Sequence, residues 1–302
     1  AVFPLKQLGL AFSGDAVSML IFLFFTAVLF CAVYAVLSLS FIKIVTAKRS
    51  ASKRRYVKRE LKVGNISGAL LKKEFLRYRS LPAYIMNCSL GSVFMLAGAV
   101  YVFIKGSQLR ETLIQIPGWE LYLPLIGCAA VCLVSTMNDI TAPSVSLEGR
   151  TLWLSKALPV SAIQVLSAKV KLHLYITLPF ALLFSAAVVI AAKADITASV
   201  LMLTVPLVFV LFTALFGIVL NLKFPNFTWI NETVAVKQSA SVSIALFGSW
   251  GIIFLFGGLF YLLHASVSVS AFLALTLAVL LLTCALLWQW IVKRGTRIFN
   301  SL

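Results

Sequence analysis

The chain has 302 residues, of which 61% are hydrophobic and 12% charged, with a mean hydropathy of +1.03 and a formal charge of +17. That composition excludes an ordinary soluble domain and points to a bilayer. The positive charge on its own would suit a nucleic-acid binder, but it lies beside apolar runs, where anionic headgroups attract it, and no nucleic-acid recognition motif accompanies it.

Seven uncharged apolar stretches follow in order: 16–42, 80–104, 121–138, 172–192, 196–222, 238–263 and 265–292. Each reaches the roughly 17 to 25 residues that a helix needs to cross the hydrocarbon core. Helices are required because lipid offers backbone amides no partner. The fold class expected is an all-α polytopic membrane protein with seven transmembrane helices. Threading the chain through seven spans collects 22 of the 26 Lys/Arg residues on one side, in segments 43–79, 139–171, 223–237 and 293–302. The positive-inside rule makes that side cytoplasmic, with the N-terminus outside and the C-terminus inside. An outside N-terminus on an odd number of spans suggests a piece of something longer.

The segment from Lys43 to Arg79 is the most basic, centred on Lys53-Arg54-Arg55 and Lys58-Arg59. Its last part, 67–80, sets Leu71, Phe75 and Tyr78 at helical spacing, with Lys72, Lys73, Arg77 and Arg79 largely elsewhere. An amphipathic helix lying in the headgroup region is expected there, with a bend at Leu81-Pro82. Segment 139–171 follows the third stretch. Gly149 and Pro159 bracket Leu152, Trp153, Leu154, Lys156 and Leu158, which predicts about two turns of helix. Ser161 and Gln164 form a capping box that starts a further helix near Ala162. Segment 223–237 holds two Asn-x-Thr sequons, at Asn226 and Asn231, which on a cytoplasmic loop are chance.

Little in the chain points to chemistry of its own. No G-x-x-x-x-G-K-[ST] phosphate loop occurs, so ATP is not bound by that mechanism. Ser249 and His264 make a poor hydrolytic pair, since a continuous helix would separate them by roughly 20 Å along its axis. The five cysteines all fall within apolar runs, and Cys128 and Cys132, one turn apart, are too few ligands for a metal. No metal site and no catalytic residue are expected. The spans carry no acidic residue, which argues against an ion-driven carrier.

Certain residues carry a likeness to a known family. They are Asn138, Ser144-Val-Ser146-Leu-Glu148-Gly149-Arg150-Thr-Leu-Trp153, Lys156-Ala-Leu-Pro159-Val-Ser161 and Ala168-Lys169, then Asn221-Leu-Lys223-Phe-Pro225, Asn231-Glu232 and Val236-Lys237-Gln238-Ser239. With spans two to seven around them, these resemble one six-helix half of a type 2 ATP-binding-cassette (ABC) exporter permease, as found in Firmicutes. The likeness covers about residues 65 to 300.

The resemblance implies a division into a leading helix (1–43) matching the last helix of an upstream half, a basic cytoplasmic linker (44–64) and a permease half (65–302), the C-terminal one. It implies that Glu148, Gly149, Arg150, Trp153, Leu154, Lys156 and Pro159 form the loop contacting an ATPase. Glu148 and Arg150 would pair across that interface while Trp153 and Leu154 fill a groove on the partner. A second cytoplasmic loop with Glu232 and Lys237 would support the contact, and Leu71, Phe75 and Tyr78 would belong to the elbow helix. The chain itself would bind no cofactor and would not be an enzyme. ATP and Mg²⁺ would sit on a partner cytosolic ATPase, present as a pair, beside a second permease half, fused upstream or dimeric. The setting would be a multi-pass bacterial plasma membrane, among membrane lipids and without nucleic acid, and the cargo hydrophobic or amphipathic. The rival class is a non-transporting scaffold or immunity protein that binds a partner in the bilayer.

Overall fold

The computed structural model describes residues 3–46, 64–116 and 118–302, and among them every regular element is helical. Two compact units divide at residues 62 and 63. The basic clusters at 53–55 and 58–59, and most of the expected linker, lie outside the described residues.

The first unit holds α1 (Phe3–Phe12), which the sequence reading does not anticipate, and α2 (Ala16–Thr46). Gly14, at φ 94°, makes the turn between them, and Asp15 accepts from the backbone of Val17 and the hydroxyl of Ser18. The α2 helix is apolar on all sides and leaves Phe24, Phe30 and Leu39 exposed. A helix with no polar face suits lipid rather than water.

The second unit begins with α3 (Ile66–Ser80), capped by Asn65, whose side chain accepts from the Ser67 amide. Leu81 breaks the helix, and α4 (Pro82–Cys88) starts with Pro82, whose missing N–H costs nothing in a first turn. After Ser89 comes α5 (Leu90–Ile114). The span expected at 80–104 is therefore displaced toward the C-terminus. The bend at Pro82 and the turn at Ser89 remove the first residues, and the helix continues past Lys105 and Arg110.

The next helix, α6 (Trp119–Ser135), has 17 residues. At 1.5 Å per residue it is roughly 25 Å long, short of the roughly 30 Å of a hydrocarbon core. It lies alongside α5 and packs against it. Pro124 lines a cleft with Arg110, Lys193 and Asp195, while Asn138, just past its end, bonds to Ser92 at the start of α5. The chain then leaves helical form at Thr136, where the uncharged run had predicted helix to 138. It passes through a buried stretch to a 3-10 helix (Ser146–Thr151) and α7 (Leu152–Ala157).

The long helices α8 (Ala162–Ala192) and α9 (Ile196–Lys223) come next, α8 opening on the capping box of Ser161 and Gln164 where the sequence placed it. A short α10 (Glu232–Lys237) leads to α11 (Ala240–Leu263) and α12 (Val269–Trp290), then a π-helical stretch (Ile291–Gly295) and α13 (Thr296–Ser301). The centre of the unit is α9, packed against α6, α8, α11 and α12 with Phe209, Val210, Phe212 and Ile218 buried. Six helical segments among the described residues are long and apolar enough to cross a membrane: Ala16–Phe41, Leu90–Ile114, Ala162–Ala192, Ile196–Lys223, Glu232–Leu263 and Val269–Ser301. This is a multi-pass helical membrane protein.

Candidate functional site

At the end of the second unit where α3, α7 and the start of α8 meet, five charged side chains are gathered. The Nζ of Lys169 lies 2.6 Å from Glu148 Oε1 and 3.0 Å from Glu74 Oε2, and it also donates to the Ser144 carbonyl at 3.1 Å. Arg77 reaches Glu148 Oε1 at 3.2 Å and Glu74 Oε1 at 3.5 Å, and Lys73 lies 3.8 Å from Glu148 Oε2. The Ser155 hydroxyl of α7 donates to Glu148 Oε2 and accepts from Lys73 Nζ. Lys169 and the Glu148 side chain are fully enclosed.

Three cations against two carboxylates leave this cluster, closed at Lys169 and Glu148 but partly exposed at Lys73 and Arg77, with one positive charge in excess. Burial alone would raise the Glu148 carboxyl. The attraction of Lys169 and Arg77 outweighs burial and holds it down at about 2. Burial also lowers Lys73, against the pull of Glu148 and Glu74. The cluster ties three sequence-distant elements into one body, and α7 cannot shift without moving Ser155 against Glu148.

This placement corrects two expectations. Glu148 is not presented to a partner, because both of its oxygens are spent on internal cations and a hydroxyl. The face that α3 turns inward is Leu70, Glu74 and Tyr78, whereas Phe75 is 46% exposed and Leu71 partly so. The hydrophobic stripe read from the sequence is thus split between interior and surface, since the interior here is ionic.

The buried stretch before the 3-10 helix is held by two asparagines. Asn221 of α9 accepts from the amides of Val145 and Ser146 at 2.7 and 3.0 Å, and its Nδ2 donates to the hydroxyls of Ser146 and Ser241. Asn138 accepts from the Ser92 amide at 2.9 Å and donates to the hydroxyls of Ser92 and Thr177. Tyr84 donates to the Ile140 carbonyl, and Ser241 to that of Ala142. Gly217 lets α9 approach this stretch closely, for a Cβ there would collide with the Thr141 hydroxyl and the Ala142 amide. Non-helical backbone within an apolar protein is tolerated where such partners exist. Asp139 and Thr141 are less well served: neither Asp139 Oδ2 nor the Thr141 hydroxyl has a hydrogen-bond partner among the described residues, and burial pushes the Asp139 carboxyl well above the usual range.

The two segments that carried the likeness are thereby brought together. Trp229 donates from Nε1 to the Ser146 carbonyl at 2.8 Å and covers Gly149, whose φ of 48° and ψ of −130° suit glycine alone. An alanine at 149 would add backbone strain and a Cβ 2.8 Å from the Trp229 ring. Gly149→Ala is expected to cost roughly 2 kcal/mol. In detergent this reads as a lowered melting temperature, which Gly118→Ala, at another positive-φ glycine with open space around it, shares only in its backbone part.

Outside this core, α7 turns Trp153 and Leu154 outward, 66% and 47% exposed, with Leu158 beside them. Lys156 is exposed and donates to the Asn300 carbonyl near the C-terminus, and Pro159 is exposed. Arg150 occupies the 3-10 helix. On the second loop Lys237 is exposed and Glu232 half-buried, while Ala235 and Val236 of the same short helix pack against Tyr78, Tyr84 and Leu147. Ile230 stands free in solvent. Lys169 and Asn221 lie within the motifs quoted above, with no role assigned there, and Glu74 lies outside them. The available signals were a lysine within the apolar stripe of α8 and a single acid among the four cations of 67–80. No metal-ligand cluster occurs among the described residues. Comparison with protein-family models, curated proteins and solved structures gives no match.

Proposed function

We propose that the protein is the membrane-embedded permease subunit of an ABC exporter, moving a hydrophobic or amphipathic substrate outward with ATP hydrolysed by a separate cytosolic ATPase. The observation that carries this reading is α7: a short helix outside the apolar segments, exposing Trp153, Leu154 and Leu158, yet clamped through Ser155 and Glu148 to α3 and α8. Exposed aromatic and aliphatic side chains on a rigid support are the form that an anchor for a protein partner takes. The clamp gives a displaced α7 a direct mechanical route into α8.

In this reading α3 is the elbow helix and α7 the coupling helix. Seven crossings put the N-terminus outside, the C-terminus in the cytoplasm and the basic residues along the inner face of a bacterial plasma membrane. A cavity of about 230 Å³ between α6, α9, α11 and α12, walled by Phe209, Phe256 and Phe272 with the Thr276 hydroxyl, suits an apolar portion of a cargo. The second permease half would be an upstream part of the same polypeptide or another copy.

Purification from native membranes in mild detergent tests this. Wild type is expected to bring down a cytosolic ATPase, and a Trp153→Ala, Leu154→Ser variant to lose it while its melting temperature stays within a degree or two, since both side chains are exposed. Retention of the ATPase by the variant, or its absence from wild type, overturns the coupling role and favours a scaffold.

A further inference from the structure

Between the start of α3 and the side of α8 runs a groove of about 480 Å³, lined by Ser67, Leu71, Lys171, Tyr175, Leu178 and Pro179 among others. Its two ends differ in chemistry. At one end are the Ser67 hydroxyl and the ammonium of Lys171, which donates a single bond to that hydroxyl at 2.7 Å. An ammonium has three donors, so two N–H groups remain. Tyr175, 68% exposed, stands one turn further along α8, and the groove ends on Leu178 and Pro179. The distance from Lys171 to Leu178 along the helix is roughly 10 Å.

Depth adds a second constraint. Past Lys171 the α8 helix is uncharged through Ala192, a length of roughly 31 Å that matches the hydrocarbon core. Lys171 is the last cation on α8 before this uncharged length, which would set it near the lipid phosphates if 172–192 fills the apolar layer. From these observations we propose that the groove binds an anionic glycerophospholipid, its phosphate on Lys171 and Ser67 and the upper part of one acyl chain along Leu178 and Pro179. A free phosphate would make no use of the apolar half. A zwitterionic lipid would bring a cation of its own toward Lys171. The site does not depend on the transport reading.

Gly68 makes the proposal testable without damage to the fold. It lines the groove, and a Cβ built on it meets nothing within 4 Å. Leucine there fills the groove while favouring the helix.

The experiment uses the full chain, delipidated in nonionic detergent, with melting temperature and native mass spectrometry as readouts during titration with phosphatidylglycerol, phosphatidylcholine of the same chains, or inorganic phosphate. Phosphatidylglycerol is expected to raise the melting temperature of wild type by several degrees and to remain bound, with the other two weak or without effect. Lys171→Gln is expected to weaken phosphatidylglycerol binding about fivefold. Gly68→Leu should remove the response without lowering the lipid-free melting temperature, and Lys193→Gln, at the opposite end of α8, should keep it. An equal response to phosphatidylcholine, or to phosphate alone, overturns the proposal. So does a full response in Lys171→Gln, or none in wild type.

Discussion

Lys169→Met is expected to destabilise the protein by about 3 to 5 kcal/mol, as removal of one partner from a buried ion pair does. The substitution keeps the volume of the side chain and removes the charge that lies closest to Glu148 and Glu74. Arg77 and Lys73 remain, but they are partly exposed and further from the carboxylates. The cost appears as a fall in detergent melting temperature and faster protease cleavage near residues 150 to 160. Pairing the change with Glu148→Gln should recover part of the loss, because the two groups compensate each other's desolvation. A Lys169→Met protein within about 0.5 kcal/mol of wild type, the range of an ordinary surface change, would show that the cluster contributes little.

Acid provides an independent reading of the same cluster. The Glu148 carboxyl is held at about 2 in the folded protein against an ordinary value of 4.5. A group depressed on folding contributes stability that is fully present above the unfolded value and is lost as pH falls toward the folded one. That contribution is roughly 3 kcal/mol, lost between about pH 4.5 and 2. Wild type should lose melting temperature over this window more steeply than Glu148→Gln.

The second large effect is expected at Asn221. Leucine there is of similar size but removes the acceptor for two buried amides, those of Val145 and Ser146, and the donor for two hydroxyls. An unsatisfied buried amide costs about 1 to 3 kcal/mol, so Asn221→Leu should cost roughly 2 to 5 kcal/mol. The damage is local to 140–148, and hydrogen exchange of the Val145 and Ser146 amides should accelerate well beyond that of the α9 amides. Unchanged protection at these two positions would mean that other partners hold the stretch.

The expectations that the sequence supported were those resting on local chemistry. The Ser161 box placed the start of α8, Gly149 and Pro159 framed α7, and the uncharged runs located the long helices. Where the reading departed from the structure, a distant partner decided the outcome. Residues 136 to 138 look helical by hydropathy, yet Asn138 finds Ser92 and Thr177, and the backbone beyond it finds Tyr84 and Asn221. The inward face of α3 takes only Tyr78 from the stripe of Leu71, Phe75 and Tyr78, because spacing and hydropathy give no reason to turn a carboxylate inward. Glu74 goes inward with Arg77 alongside, since Lys169 awaits it there. The partner-facing role of Glu148 came from the resemblance alone, and nothing local marks a carboxylate whose cations come from positions 73, 77 and 169.

The asparagine knots also dictate an order of assembly. A growing chain inserts α6 and its following stretch well before the residues that satisfy them exist. The Val145 amide waits for a side chain 76 positions later, and the Ala142 carbonyl for one 99 positions later. Until α9 and the start of α11 have emerged, this stretch has to stay hydrated or be shielded by other proteins, because bare peptide groups are not stable against lipid. The stretch is therefore complete only once Ser241 has arrived.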